Sequence, residues 1–327
     1  MADQSATGIP TDPYDQLKLI RNPDGTITRI PQVPDAPATG DALSSDVLSK
    51  DIPLNVANNT FVRIYRPRDA TKGSNLPLIV YFHGGGFILF SAISVQFHDL
   101  CVRMARDFNA VIISVDYRLA PEHRLPAAYE DAIDSIMWVK NQASNGEPWL
   151  RDYVDFSKCF LMGSSAGANM VYQAALRLEE SESDLKPVKI SGMILNQPFF
   201  GGVQRTESEL RKMDDQIVPL PSTDLMWELS LPSGADRNHE YCNPMLKGLS
   251  ESEIRALKRQ RWLVCYGGED PLMDRQKEFM KMLEESGVEL VVHCEEKGFH
   301  AMEVIEPDKV KGLFDCIRDF VNSPSSE

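Results

Sequence analysis

Residues 160–168 read FLMGSSAGA: a short apolar run, then Gly163-Ser164-Ser165-Ala166-Gly167, then a stretch of helical character from Asn169 onward. Gly-x-Ser-x-Gly at a strand-to-helix junction is the sequence form of a nucleophile elbow, a turn so sharp that its central serine takes strained backbone angles. Side chains two residues to either side of that serine would collide, and glycine at 163 and 167 removes them. The pattern predicts that Ser165 stands at the carboxyl end of a central strand, with its hydroxyl at the positive N-terminus of the next helix. A Gly-Ser turn is common by itself, so its surroundings decide the reading.

Upstream, Leu78-Ile79-Val80-Tyr81-Phe82 is an apolar, β-rich run that ends in His83-Gly84-Gly85-Gly86-Phe87. Successive glycines after a strand let backbone N–H groups turn toward a ligand that side chains would obstruct. Gly85 and Gly86, together with Ala166 after the elbow serine, are the expected donors of an oxyanion hole. Gly84, Gly163 and Gly167 support the turns, and His83 is expected to bond the loop backbone rather than to take part in chemistry.

Strand and helix alternate around these two points. Residues 61–65 alternate as a half-exposed strand, while 76–82 and 110–116 are continuous apolar runs suited to the middle of a parallel sheet. Further strands are expected at 160–163, 190–196, 262–266 and 288–293, with helices at 94–108, 126–142, 169–179, 274–286 and 308–321. The order predicts an α/β architecture, a mostly parallel twisted sheet with helices on both faces. Residues 1–50 are rich in Pro, Asp, Ser and Thr; within them 17–20 suggest one turn of helix and, after the turn signal Asn22-Pro23-Asp24-Gly25, 26–30 an edge strand. Between 198 and 257 the strand pattern disappears, leaving amphipathic pieces at 207–213 and 223–231 broken by prolines. The expectation is a single domain over residues 1–327, with a helical cap inserted at 199–257 and the N-terminal residues 1–50 packing with it.

Composition narrows the functional classes. Against 34 Lys and Arg stand 48 Asp and Glu, a formal net charge of −14 with no basic stretch, so neither nucleic acid nor an anionic membrane surface is an expected partner. The six cysteines, Cys101, Cys159, Cys242, Cys265, Cys294 and Cys316, contain no C-x-x-C pair and lie mostly in apolar runs, which suits buried free thiols rather than disulfides or a metal site. The first fifteen residues hold neither a basic n-region nor an apolar h-region, and no apolar run reaches the roughly 18 residues a membrane span needs. A cytoplasmic location is therefore expected.

Acyl transfer from an ester needs a nucleophile, a base for its proton, an acid to orient that base, and donors for the tetrahedral oxyanion. With an elbow serine, the acid and then the histidine follow it in the chain, at the ends of later strands. The strand at 262–266 runs into Gly267-Gly268-Glu269-Asp270-Pro271, and the strand at 288–293 leads to Gly298-Phe299-His300. Asp270 and His300 are the expected acid and base of Ser165. Glu269, Asp274 and Glu296 are rival carboxylates, the first two expected on turn and helix surface. His293 falls inside a strand, His98 and His123 precede the serine, and His239 lies in the expected cap, so all four are expected to be structural or exposed.

His83-Gly84-Gly85-Gly86-Phe87, Asp116-Tyr117-Arg118-Leu119-Ala120-Pro121-Glu122, Leu125-Pro126-Ala127-Ala128 and Gly163-Ser164-Ser165-Ala166-Gly167, in this order, resemble the hormone-sensitive-lipase branch of the α/β hydrolases. Within that branch, the HGGGFILFSA run, the LPAAYEDA helix start and Trp227-Glu228-Leu229-Ser230-Leu231-Pro232 are similar to plant class I carboxylesterases. The resemblance implies a serine esterase acting on short acyl esters of small metabolites, often acetates, with a small-molecule ester as partner, no cofactor, no metal, and a monomeric or homodimeric state. It also admits two other classes. Gibberellin receptors share the fold but lack the catalytic histidine that His300 supplies here, and lyases or cyclases of specialised metabolism use the same pocket to remove water or acetate, some with the serine replaced. One departure stands out: relatives carry Asp or Glu before the nucleophile, where this chain has Ser164, which implies a change in how the histidine is tuned or in what substrate fits.

Overall fold

The computed structural model of the chain describes residues 12–40, 45–178 and 185–323. Strands β1 (Leu19–Arg21) and β2 (Ile27–Arg29) form a separate antiparallel hairpin. The body is one eight-stranded sheet of β3 (Val47–Asn55), β4 (Thr60–Pro67), β5 (Leu76–Phe82), β6 (Val111–Asp116), β7 (Val154–Ser164), β8 (Ile190–Asn196), β9 (Trp262–Gly267) and β10 (Leu290–Glu295). Their spatial order is β10-β9-β8-β7-β5-β6-β4-β3. From β6 to β10 every neighbouring pair is parallel, and β4 and β3 complete the sheet with antiparallel pairings.

Because side chains alternate across a strand, β5 feeds two apolar layers at once. Leu78, Val80 and Phe82 enter one layer, and Ile79 and Tyr81 the other. Helices Ala127–Asn145 and Ala166–Arg177 cover the first, contributing Ile136, Val139, Val171 and Tyr172; helices Val95–Asp107 and Lys311–Asn322 cover the second with Phe97, Leu100, Phe314 and Phe320. A parallel strand covered on both faces must be apolar on both, which is why β5, β6 and the end of β7 read as unbroken apolar runs. This is the α/β architecture expected, with helices on both faces.

Two local expectations change. The strand at 61–65 is longer and buried almost throughout, because β3 pairs along its outer side. Arg63, which gives the stretch its half-exposed look, is 2% exposed and donates through Nε to Asp51 Oδ1 of β3 at 2.6 Å. The helical turn expected at 17–20 lies one turn earlier, Pro13–Gln16, where the Asp12 side chain accepts from Tyr14 N and Pro13 takes the first position. Lys18 then adopts a left-handed φ of 55°, and the chain pairs as β1 against β2. Of the N-terminal segment expected to pack with the cap, residues 1–11 and 41–44 lie outside the described residues, as does Glu179 of the helix expected at 169–179.

Residues 199–257 carry helices Glu207–Arg211, Leu220–Ser230, Pro244–Lys247 and Glu251–Lys258 and no strand among the described residues. The Ser222 hydroxyl, on the second of these, donates to Gln16 Oε1 at 2.6 Å. Truncating the fully buried Ile79 to Ala opens a hole beneath helix Val95–Asp107. It is expected to cost about 2–5 kcal/mol, read as a lower urea midpoint with an unchanged denaturant slope.

Candidate active site

Strand β7 ends at Ser164 and the helix Ala166–Arg177 starts two residues on, leaving Ser165 alone in the turn at φ 54° and ψ −115°. A side-chain-bearing residue held at positive φ costs on the order of 1–3 kcal/mol and persists only where its surroundings over-determine it. They do so here: Ser165 N donates to Asn196 O at 2.9 Å, and its carbonyl accepts from Phe199 N at 3.0 Å. The turn is also packed from below. A Cβ on Gly167 would lie 1.9 Å from the carbonyl oxygen of Phe82, so only glycine lets the helix start this close to the end of β5.

Three strand ends converge on the serine. His300, in the loop after β10, places Nε2 2.9 Å from Ser165 Oγ, and its Nδ1 lies 2.9 Å from Oδ2 of Asp270, in the loop after β9. The serine hydroxyl donates to Nε2 and the Nδ1–H donates to the carboxylate, the tautomer this geometry demands. Asp270 is 1% exposed and fully engaged, Oδ1 accepting from Leu272 N at 2.8 Å and Oδ2 from Gln276 Nε2 at 2.9 Å. The histidine turn is fastened by Gln197, whose Nε2 donates to Phe299 O at 2.8 Å and whose Oε1 accepts from Ala301 N at 2.7 Å. Burial alone would lower the proton affinity of the His300 ring, but the Asp270 carboxylate outweighs it and holds the imidazole above its ordinary range.

The glycine loop closes the site from the β5 side. Gly85 and Gly86 have φ of 118° and 60°. A Cβ on Gly86 would meet Met226 Sδ at 2.3 Å, and its φ of 60° is one that side-chain-bearing residues rarely adopt. Among the described residues the N–H groups of Gly85 and Gly86 make no backbone hydrogen bond, and that of Ala166, first in its helix, has no acceptor within the helix. The expected donors therefore stand beside Ser165 with their bonding capacity free. Together Ser165, His300 and the glycine loop floor a cavity of about 400 Å³. Phe90, Phe199 and Met226 line it, while Phe87, Phe200 and Trp227 belong to the core beneath. Phe199 joins the two, stacking on Trp227 at 4.6 Å.

Residues 79–304 match the family model of the α/β-hydrolase fold. The chain is 48% identical over 322 residues to a probable carboxylesterase of Arabidopsis thaliana, covering 97% of this chain and 95% of the relative. It is 45% identical to a 3-O-acetylpapaveroxine carboxylesterase of Papaver somniferum, covering 95% and 99%. Among solved structures, an esterase of Pyrobaculum calidifontis superposes with a TM-score of 0.67 at 29% identity, covering 84% of each chain. The chain belongs to the plant class I carboxylesterases of the α/β-hydrolase fold. It is a carboxylic ester hydrolase.

In this carboxylesterase the rival residues are occupied elsewhere. Glu269 is exposed and paired with Lys212 at 2.5 Å, Asp274 accepts from Ser208 N at 2.7 Å, and Glu296 is exposed. His83 bonds the loop backbone as expected, donating from Nδ1 to Gly84 O at 2.7 Å, and stacks on Tyr117. Burial pulls its proton affinity down to about 4, so the ring is neutral. His98 packs against Tyr65 and Arg63, and His293 sits on β10 beside Glu295. The cysteines are free thiols, four of them buried, with Cys294 exposed and Cys316 half-buried. Among the described residues no helix is long and apolar enough to cross a membrane, and no group of three His, Cys, Asp or Glu is placed to hold a metal ion. The partners that reading along the chain missed are Gln197 and Gln276, single amides whose roles exist only once distant loops meet.

The carboxylesterase's dependence on the Phe82–Gly167 contact is testable. Gly167→Ala is expected to cost at least about 3 kcal/mol, the upper end for overpacking a dense interior. Thermal unfolding measures it, and a melting temperature equal to that of the unmodified chain contradicts the close approach.

Proposed function

We propose that this carboxylesterase hydrolyses short-acyl, acetyl-type esters of small plant metabolites through an acyl-enzyme, with Ser165 as nucleophile, His300 as general base and acid, and Asp270 as the group that orients and charges the ring. The observation that carries the reading is the unbroken relay from Ser165 Oγ through His300 to Asp270 at the floor of the cavity. Ser165 Oγ attacks the ester carbonyl as its proton passes to His300 Nε2. The carbonyl oxygen becomes an oxyanion and accepts from the N–H groups of Gly85, Gly86 and Ala166. Collapse breaks the bond to the alcohol oxygen, which takes the proton from His300 and leaves. A water molecule, losing its proton to the same nitrogen, then attacks the acyl-serine; the bond to Oγ breaks, the carboxylic acid departs and the hydroxyl is restored.

Three further features support the reading. Strain at Ser165 presents Oγ out of the turn, into the cavity rather than along the helix. The cavity, about 400 Å³ and mostly apolar, suits a small metabolite ester. The name of the Papaver relative specifies an acetyl ester. We take residues 199–257 as a cap that the N-terminal fifty residues complete, and the protein as cytoplasmic and monomeric or homodimeric.

With p-nitrophenyl acetate, Ser165→Ala is expected to lose on the order of 10⁶-fold in kcat by analogy with serine hydrolases, and an organophosphate is expected to label Ser165 alone. Full activity in that variant removes the acyl-enzyme and favours elimination on the same scaffold.

The second expectation concerns pH. His300 must be neutral to accept the proton, so kcat/KM is lost as pH falls through its pKa. Because Asp270 holds that pKa up, the acid limb is expected above the ordinary imidazole value of about 6.5. A limb well below it in a full pH–rate profile refutes this electrostatic reading.

A further inference from the structure

The carboxyl that the elbow lacks at position 164 is supplied from another loop. Glu303 lies on the one-turn helix Met302–Ile305, three residues beyond His300, and is 4% exposed. It shares one cavity lining with Ser164, Ser165 and His300 and another with Asn196, close enough for its carboxyl to act on Ser164, Asn196 and His300. The hydrogen bonding around Ser164 has a direction. Tyr81 OH donates to Ser164 Oγ at 3.2 Å and Asn196 Nδ2 donates to it at 3.4 Å. Both neighbours give protons to that oxygen, so the Ser164 hydroxyl hydrogen is the one left to point at Glu303. The same carboxyl borders the cavity that holds Ser165 and His300. None of the steps above uses it.

We propose that Glu303 is a positioning residue for the hydrolysis: fastened to Ser164 and Asn196 beneath the elbow, it pins the turn that carries His300 and adds a second negative charge behind the ring when the imidazolium forms. The proposal rests on His300 being the base. Preorganised charge of this kind favours the transition state over the ground state, because the ring is cationic only in the former. Burial pushes the Glu303 carboxyl up, whereas Ser164, a charged His300 and Asn196 pull it back, so protonation of His300 and ionisation of Glu303 favour each other. The titratable groups facing it from packed elements are Tyr81 of β5, Cys265 and Tyr266 of β9, His293 and Glu295 of β10, and His300. Asp99, Arg103, Arg106 and Asp107 of helix Val95–Asp107, together with Asp308, line the surface groove that borders it from outside.

Glu303→Gln keeps the shape and removes the charge. Expected are a folded protein with its melting temperature within a few degrees of the parent, an unchanged KM for p-nitrophenyl acetate, a kcat about tenfold lower, the equivalent of one pKa unit, and an acid limb moved to lower pH. Glu303→Asp, which keeps the charge, is expected to restore the limb toward its original position. A parental kcat and limb in Glu303→Gln overturn the proposal, as does a loss of kcat that tracks melting temperature with the limb unmoved. Should Glu303→Gln not fold, the position of the limb in Glu303→Asp decides alone, a limb displaced well below the parent's counting against the role. An NMR titration of the His300 ring in the Ser165→Ala background, with and without Glu303→Gln, separates the two readings. A ring pKa lowered by Glu303→Gln supports the electrostatic coupling even if Ser165→Ala proves active and the acyl-enzyme fails; an unmoved pKa rejects the coupling even if the acyl-enzyme stands.

Discussion

One close approach organises the site: the start of helix Ala166–Arg177 against the carbonyl of Phe82, possible only because Gly167 has no Cβ. Phe82 is the last residue of β5, and the glycine loop continues directly from it. The contact that places the serine at the mouth of the helix therefore also sets how far Gly85 and Gly86 stand from it. Ser165 and the glycine loop come from segments about eighty residues apart in the sequence, yet their separation is governed by one backbone-to-backbone contact between a strand end and a helix start. Such a contact cannot relax by a rotamer change, which gives the preorganisation that stabilising a developing charge requires.

The histidine and its acid are held by a different kind of constraint. Both are almost wholly withdrawn from water, where an isolated charge is expensive. Asp270 meets that cost with a backbone N–H, the Gln276 amide and the His300 ring, all between 2.8 and 2.9 Å. Gln197 secures the other side of the ring by tying Phe299 and Ala301 to the end of β8, where Asn196 already accepts from Ser165 N. Serine and histidine are thus referred to the same strand end, and their 2.9 Å separation follows from the sheet rather than from either loop.

The elements that could be read along the chain are those whose local chemistry agrees with their place in the fold. The elbow, the glycine loop and the apolar runs of β5, β6 and β8 belong here, because steric demand or double-sided burial leaves few residue types that fit. Ser165, Asp270 and His300 could be singled out for the same reason, each following a strand in the order the chemistry uses. β3 was hidden by Lys50, Asp51 and Pro53, which an edge strand tolerates and a pattern search rejects. Arg63 made β4 look half-exposed, and its burial is intelligible only once Asp51 arrives from β3. The turn at Pro13–Gln16 and the β1–β2 hairpin hinge on Lys18 entering the left-handed region, a choice made by packing rather than propensity. Gln197, Gln276 and Glu303 resemble ordinary surface polar residues until the loops are brought together.

The helices between residues 199 and 257 are mechanically joined to the oxyanion loop. Met226 occupies the space that a side chain on Gly86 would need, and the Ser230 hydroxyl donates to Gly86 O at 3.2 Å. Ser230 O in turn accepts from Leu125 N at 2.9 Å, tying the end of helix Leu220–Ser230 to the segment before Ala127–Asn145. Arg29 of β2 donates to Ile88 O and to Ala120 O, each at 2.6 Å, while gripping Glu122 with two further bonds. The segment from Gly86 to Ile88 is thus tied both to the N-terminal hairpin and to helix Leu220–Ser230. On the proposed mechanism a substrate that displaces Met226 also shifts the Gly86 peptide group, so fit in the cavity and rate at the carbonyl would be coupled and selectivity among esters exerted on kcat as well as on binding.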